Sequence, residues 1–308
     1  MYGTEAYGYL LPSFVAAARA GMGFVERQVF PDGERYLRVL DDVRGRDVVV
    51  LGGTIADRDT LEIFDLGCSL ARSGARTLTL AIPYYGYATM DRATKPGEVV
   101  TAKTRARLLS AIPPAAGGNT ALLLDLHTEG IPHYFDDPIV ARHVYARPIV
   151  LAAIADLAGP GVRPTLAATD AGRAKWVESL ARDAGGLECA FVYKRRISGE
   201  ETLVTGVNAD VRGRTVIVYD DMVRTGGTLA AAARAYREAG AARVFAVTTH
   251  LLPTEGTVEK LRRDGAIERL VATDSHPLAR PAAAAAPGFV EVRSVGPLLG
   301  AVLGEPVV

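Results

Sequence analysis

Short apolar runs of about six residues alternate with stretches of helical spacing, and the alternation occurs twice along the chain. In the first half DVVVLGG (47–53), TLTLAIPYY (77–85) and TALLLDLH (120–127) read as buried strands, with helices over 60–75 and 101–112. In the second half TLAATD (165–170), CAFVYKRR (189–196), TVIVYDD (215–221), RVFAVTTH (243–250) and ERLVATDSH (268–276) read as strands, with helices over 173–186 and 227–241. Strands that are apolar on both faces and separated by helices require mainly parallel sheets flanked by helices. The expected fold is α/β, with two tandem units of about four or five strands each. The expected boundary lies near 145–150, where a helix over 151–158 opens the second unit, giving domains 1–147 and 148–308, with the last stretch SVGPLLGAVL packing on the first domain. ARPAAAAAPG (279–288) reads as a loop or a short helix.

Composition excludes some functions. The 308 residues carry 35 Lys+Arg and 35 Asp+Glu, so no basic excess is available to hold nucleic acid by bulk charge. No run of apolar residues is long enough to span a membrane, and the N-terminus lacks a basic region before an apolar one; a cytoplasmic protein is expected. Cys68 and Cys189 lack metal-ligand spacing and read as buried thiols of a reducing compartment.

In open parallel sheets, ligands bind beyond the carboxyl ends of the strands. Five such ends here are polar: DLH (125–127), ATD (168–170), DD (220–221), TTH (248–250) and ATDS (272–275). The fullest is DDMVRTGGTL (220–229). Asp220 and Asp221 arrive at the rim, and Thr225, Gly226, Gly227 and Thr228 precede a helix. Glycines permit positive φ, and a helix start offers unpaired N–H groups and the positive end of the dipole, which together suit a phosphate. Carboxylates accept hydrogen bonds from sugar hydroxyls, directly or through a hard cation. Phosphate donors beside diol acceptors describe a sugar phosphate site; the plainer reading is a tight strand-to-helix turn.

This stretch resembles the phosphoribosyl-diphosphate motif of type I phosphoribosyltransferases and of the ribose-phosphate diphosphokinases, or PRPP synthetases. Resemblance to the second group spans nearly the whole chain, through FPDGE (30–34), IPYYGYATMDRATKPGEVVTAK (82–103), LLLDLHTEGIPHYF (122–135), TDAG (169–172), YKRR (193–196) and SVGPLL (294–299). It implies two domains of the type I phosphoribosyltransferase kind. It also implies transfer of a diphosphoryl group from Mg-ATP, or another nucleoside triphosphate, to the C1 hydroxyl of ribose 5-phosphate. Residue by residue, Lys194 and Arg196 match the catalytic cations. Asp220, Asp221, Arg224, Thr225, Gly226, Gly227 and Thr228 match the ribose 5-phosphate site. Phe30, Asp32, Glu34, Thr89, Met90 and Asp91 match the nucleotide site, and His127 with Asp170 matches the Mg²⁺ site. A homo-oligomer is implied, with the nucleotide hairpin at a subunit interface. The polar segment ISGEET after Lys194 and Arg196 is expected to act as a loop closing over the phosphates. His250 receives a structural reading.

Three stretches depart from the commonest family pattern. Thr89 and Met90 stand where an arginine and a glutamine bind ATP, Arg58 where an asparagine is usual, and Arg224 where many relatives carry a third aspartate. The first and third resemble the class II diphosphokinases, which accept several nucleotides and escape phosphate control. Two rival functions are a non-catalytic regulatory paralogue and a PRPP-consuming phosphoribosyltransferase. Retention of the cations and acids disfavours the first; FPDGE and KRR disfavour the second.

Overall fold

The structure is a computed structural model describing residues 1–198 and 201–303; within 194–198 and 201–205 it describes the backbone alone. The chain forms two compact units, one of Met1–Tyr145 with the segment from Ser294 on, the other of Ala146–Arg293.

In the first unit β1 (Tyr2–Gly3), α1 (Leu11–Ala18) and the strands β2 (Val25–Val29) and β3 (Arg35–Val39) precede the main alternation. That alternation is β4 (Asp47–Leu51), α2 (Asp57–Arg72), β5 (Thr77–Ile82), α3 (Thr101–Ser110), β6 (Asn119–Leu124) and β7 (Ile139–Val144). Five strands make a parallel sheet in the order β1-β4-β5-β6-β7, while β2 and β3 pair antiparallel as a separate ribbon. Sequence explains α2 well. The Asp59 carboxylate accepts from the Ala56 N–H at 3.2 Å at its start, acids occupy its first turn and Arg72 its last, as the helix dipole favours. Ile63, Leu66 and Leu70 recur at helical spacing and are buried against the sheet.

The second unit contains α4 (Arg147–Ala158), β8 (Thr165–Ala168), α5 (Ala174–Asp183), β9 (Glu188–Ser198), β10 (Glu201–Val207), β11 (Thr215–Val223) and α6 (Gly227–Glu238). It continues with β12 (Arg243–Leu251), α7 (Thr257–Asp264), β13 (Leu270–Thr273), α8 (Ala279–Ala285) and β14 (Val290–Arg293). Its sheet has seven strands in the order β10-β9-β8-β11-β12-β13-β14, parallel except for β10. Seven exceeds the expected four or five for two reasons. Strand β10 doubles back on β9, so ETLVTGV (201–207) joins the sheet instead of remaining loop, and the four-residue β14 is too short to show periodicity. The alanines of α6 let it sit close to the sheet, and Leu229 and Tyr236 are buried there at about 1.5–3 kcal/mol each. The Tyr236 hydroxyl is satisfied by donating to the Ala168 carbonyl at 2.8 Å.

The chain then returns to the first unit as α9 (Gly296–Val302), which packs on α1. A Cβ at Gly300 would lie 2.6 Å from the Ala17 Cβ, so small residues on both helices permit the approach. Among the described residues no helix is long and apolar enough to cross a membrane.

Candidate functional site

Two rims carry the residues singled out by sequence, one in each unit. In the second unit β8 pairs with β11 only as far as Ala168 and Tyr219, and β11 runs on through Asp220 and Asp221 to Val223. Both acids are therefore strand residues, deeper in the sheet than a rim reading places them. Strand alternation sends neighbours to opposite faces, so the pair is not equivalent. Asp220, Arg224, Thr225, Gly226 and Thr228 line a cavity of about 220 Å³, whereas Asp221 lies outside that lining. Instead, Asp221 Oδ2 meets Arg173 Nη2 at 2.6 Å.

The turn between β11 and α6 is locally forced. Gly226 has φ +72°, the left-handed region, and a Cβ there would press on the Leu261 side chain at 3.1 Å. The carbonyl of Arg224 accepts from Thr254 N–H at 3.1 Å and Thr257 Oγ1 at 3.0 Å, so the segment opening α7 fixes the turn. Thr225, Gly227 and Thr228 are exposed at the start of α6, where its first N–H groups have no helical partner. Unpaired N–H groups and hydroxyls at a helix start can cradle an anion, and here a carboxylate stands on the cavity wall.

Asp170 ends the β8 segment and caps a short 3₁₀ turn, its Oδ1 accepting from Gly172 N–H at 3.0 Å. It adds to the field on Asp220. Burial above all, then Asp221, pushes the Asp220 carboxyl up to about 8, with Arg173 opposing and Asp170 reinforcing the shift. Asp170 and Asp220 each offer hard carboxylate oxygens, and Mg²⁺ takes only one or two protein carboxylates, filling its shell with water and substrate phosphate. Among the described residues no three or more His, Cys, Asp or Glu side chains are grouped so as to hold a metal ion. His127 belongs to the first unit and Asp170 to the second.

Lys194 and Arg196 are on β9, and their backbones pair with Val204 and Thr202 of β10. The sequence reading puts them at a strand end; the structure corrects this, placing them within a paired ribbon, and their side chains are outside the described residues. Of the ISGEET segment, Ser198 closes β9 and Glu201 opens β10, and residues 199–200 lie outside the described residues.

The rim of the first unit is built differently. FPDGE forms the turn of the β2–β3 ribbon. Phe30 N–H donates to the Glu34 carbonyl at 2.8 Å, Gly33 N–H to the Phe30 carbonyl at 2.9 Å, and Glu34 N–H to Asp32 Oδ1 at 3.0 Å. Phe30 stays exposed, 6.2 Å from the Tyr36 ring centroid. One buried carboxylate fastens this ribbon to the body. Glu62 of α2, 1% exposed, accepts from Arg27 Nε at 2.9 Å, Arg35 Nη2 at 2.8 Å and Glu5 N–H at 3.0 Å. Sequence reasoning missed Glu62 because nothing local marks it; the signal is an acid among the apolar residues on the buried face of an amphipathic helix.

The long loop after β5 starts at a close backbone crossing. Gly86 N–H donates to Thr54 Oγ1 at 2.7 Å, and a Cβ at Gly86 would fall inside the shell of the Thr54 carbonyl oxygen. Tyr87 has φ +63°, and its hydroxyl donates to Asp57 Oδ1 at 3.1 Å, which Arg105 Nη2 also meets at 2.5 Å. Beyond this, Thr89 and Asp91 are half-buried and Met90 is 44% exposed. The Asp91 carbonyl accepts from the Tyr134 hydroxyl at 2.6 Å. At the end of β6, Asp125 takes φ +38°, an unusual conformation for a non-glycine residue, and half-buried His127 follows. His250 is buried, with Nδ1 2.8 Å from Ser275 Oγ, in keeping with a structural role.

Known proteins with similar sequences are ribose-phosphate pyrophosphokinases. One from Nostoc sp. is 34% identical over 281 residues, covering 91% of this chain and 82% of the relative; one from Nitrosomonas europaea is 36% identical over 276 residues, covering 88% and 83%. The chain belongs to the ribose-phosphate pyrophosphokinase family. Residues 7–112 match the family model for the N-terminal domain of ribose phosphate pyrophosphokinase, and 145–268 match the phosphoribosyl transferase domain. Among solved structures, phosphoribosylpyrophosphate synthetase from Mycobacterium smegmatis superposes with a TM-score of 0.85 at 26% identity, covering 98% of this chain and 96% of that one. Membership of the ribose-phosphate pyrophosphokinase family agrees with the α/β architecture and with the resemblance read from the sequence landmarks.

Proposed function

We propose that this chain makes PRPP: the C1 hydroxyl oxygen of ribose 5-phosphate attacks the β-phosphorus of a nucleoside triphosphate. The new bond joins that oxygen to the β-phosphorus, and the bond from the β-phosphorus to the α,β-bridging oxygen breaks. The nucleoside monophosphate leaves with that oxygen, and the hydroxyl proton goes to solvent. The observation that carries the reading is the cavity where Asp220 adjoins the Thr225–Thr228 cradle at the start of α6.

Each group has a stated task. Thr225, Gly226, Gly227 and Thr228 hold the 5-phosphate through backbone N–H groups and hydroxyls. Asp220 and Asp221 accept from ribose hydroxyls, and exposed Arg224 supplies a cation on the sugar side. Lys194 and Arg196 meet the charge that gathers on the transferred oxygens. On the nucleotide side Phe30 stacks on the base while Asp32 and Glu34 accept from its amino edge or ribose. Thr89, Met90 and Asp91 flank it, and Met90 packs softly on the base. Mg²⁺, assigned to Asp170 and His127, supplies positive charge to the triphosphate when bound. A homo-oligomer with the nucleotide hairpin at a subunit interface fits the exposure of Phe30, Val29 and Tyr36. Free Cys68 and Cys189, whose thiols burial pushes up, fit a cytoplasmic setting.

Relaxed donor choice follows from Met90 and Thr89 standing where charged and amide side chains read ATP. The test is a mass measurement of products from ribose 5-phosphate with equimolar ATP, GTP and CTP, with and without inorganic phosphate. PRPP with more than one monophosphate, formed without phosphate, is expected. Strict ATP use that depends on phosphate would remove the donor claim, and absence of PRPP would remove the reading itself.

A further inference from the structure

The ion pair between Arg173 and Asp221 is the strongest feature of the second rim that the reaction scheme leaves unused. Arg173 closes the 3₁₀ turn that Asp170 caps, and its N–H donates to the Asp170 carbonyl at 3.3 Å. One end of the bridge is thereby tied to the turn that follows β8, and the other lies within β11 of the same sheet. Arg173 Nη2 lies 2.6 Å from Asp221 Oδ2, with side chains 21% and 7% exposed. Three carboxylates, those of Asp170, Asp220 and Asp221, influence this spot, and a buried pair of acids without a counter-charge is strongly disfavoured.

We propose that Arg173 is a positioning residue whose fixed guanidinium does at the sugar site what a divalent cation would otherwise do. It orients Asp221 and offsets the repulsion within the acid pair, so that ribose 5-phosphate binds this rim before any metal arrives. The inference rests on the ribose 5-phosphate assignment above. A guanidinium fixes the plane of a carboxylate as well as its charge, so lysine restores only part of the effect.

The experiment is calorimetric titration of the full chain with ribose 5-phosphate, in EDTA and again in Mg²⁺, for wild type, Arg173→Gln and Arg173→Lys. Wild type is expected to bind in EDTA. Arg173→Gln is expected to lose at least ~10-fold in EDTA and to regain most of it in Mg²⁺, with Arg173→Lys between the two. A melting temperature for each variant keeps lost folding apart from lost binding, and Arg173→Lys carries the test where the Gln variant fails to fold. Equal affinities of wild type and variants in EDTA overturn the proposal, as does a loss that Mg²⁺ does not repair. Wild-type binding only in Mg²⁺ overturns it while leaving the sugar site in place. No binding by wild type in either buffer overturns both this inference and the site assignment.

Discussion

The two rims belong to sheets of the same kind, yet they hold the groups proposed to face ligands in opposite ways. On the second rim the acids are residues of β11, paired on β12 and buried, and the proposed phosphate cradle is the first turn of α6. On the first rim the corresponding groups hang outside the sheet, on an exposed ribbon and a long loop. That ribbon is held by Glu62, and the loop is held by the crossing of Gly86 over Thr54. Groups on central strands share the sheet's rigidity, whereas a two-stranded ribbon has little stability of its own. The difference suits the chemistry proposed. One pentose phosphate must be held in a single pose for in-line transfer, while the base of the donor is remote from the reacting atoms and tolerates variation.

The contrast is sharpest where chemistry and binding separate. Lys194→Ala is expected to cut turnover by about 10³-fold or more while ribose 5-phosphate still binds, because charge stabilisation is lost and the sugar cradle is untouched. Stopped or quenched assays beside calorimetry measure this, and an unchanged rate would place the cation elsewhere. Next in size is Gly86→Ala. Its methyl has no room beside the Thr54 carbonyl, so the first unit is expected to lose about 3 kcal/mol in urea unfolding. A smaller loss would mean that the first rim yields more readily than its close crossing implies.

Acid should act on the second unit through His276. Its Nδ1 accepts from Leu278 N–H at 3.2 Å, and burial first, then the neighbouring His250, holds the imidazole down to about 4. The folded value lies below the unfolded one, so between pH 6.5 and 4 the unfolded chain binds a proton that the fold refuses. Stability from this group is expected to fall by up to about 3 kcal/mol across that window, and His276→Asn should remove that part of the slope. Urea midpoints for both proteins at pH 7 and pH 4.5 give the difference; parallel slopes would refute it. The smallest effect is expected from Glu62→Gln, which weakens the grip on Arg27 and Arg35. Michaelis constants should rise several-fold for the nucleotide, about 1 kcal/mol, and stay level for ribose 5-phosphate. A rise in both would erase the distinction between the rims.

Much of the fold was legible because buried parallel strands announce themselves. The run VVVL at 48–51, the run VIVY at 216–219 and the glycines after Arg224 carry their conformations in local chemistry. What escaped was the non-local part. The four residues VEVR of β14 become a strand only because β13 offers an edge, and β10 only because β9 precedes it. The same holds at the site. Gly226 was readable from its turn, whereas Glu62 and Arg173 owe their positions to partners distant in sequence, Arg27 and Arg35 for one and Asp221 for the other. Ion pairs across elements leave no periodic trace. The depth of Asp220 and Asp221 was also missed, since an acid within a strand is disfavoured by propensity and is tolerated here by its neighbours.

The return of the chain as α9 has a consequence for synthesis. Ser294 follows Tyr145 by 149 positions (294 − 145), so a ribosome moving at about 5–20 residues per second adds α9 roughly 7–30 s after the rest of the first unit. During that interval the flank of α1 around Ser13 and Ala17 waits without its partner helix, while the later-made unit already has every strand it needs. The half that begins translation first is thus the half that matures last, and a frameshift late in the message would injure the first unit before the second.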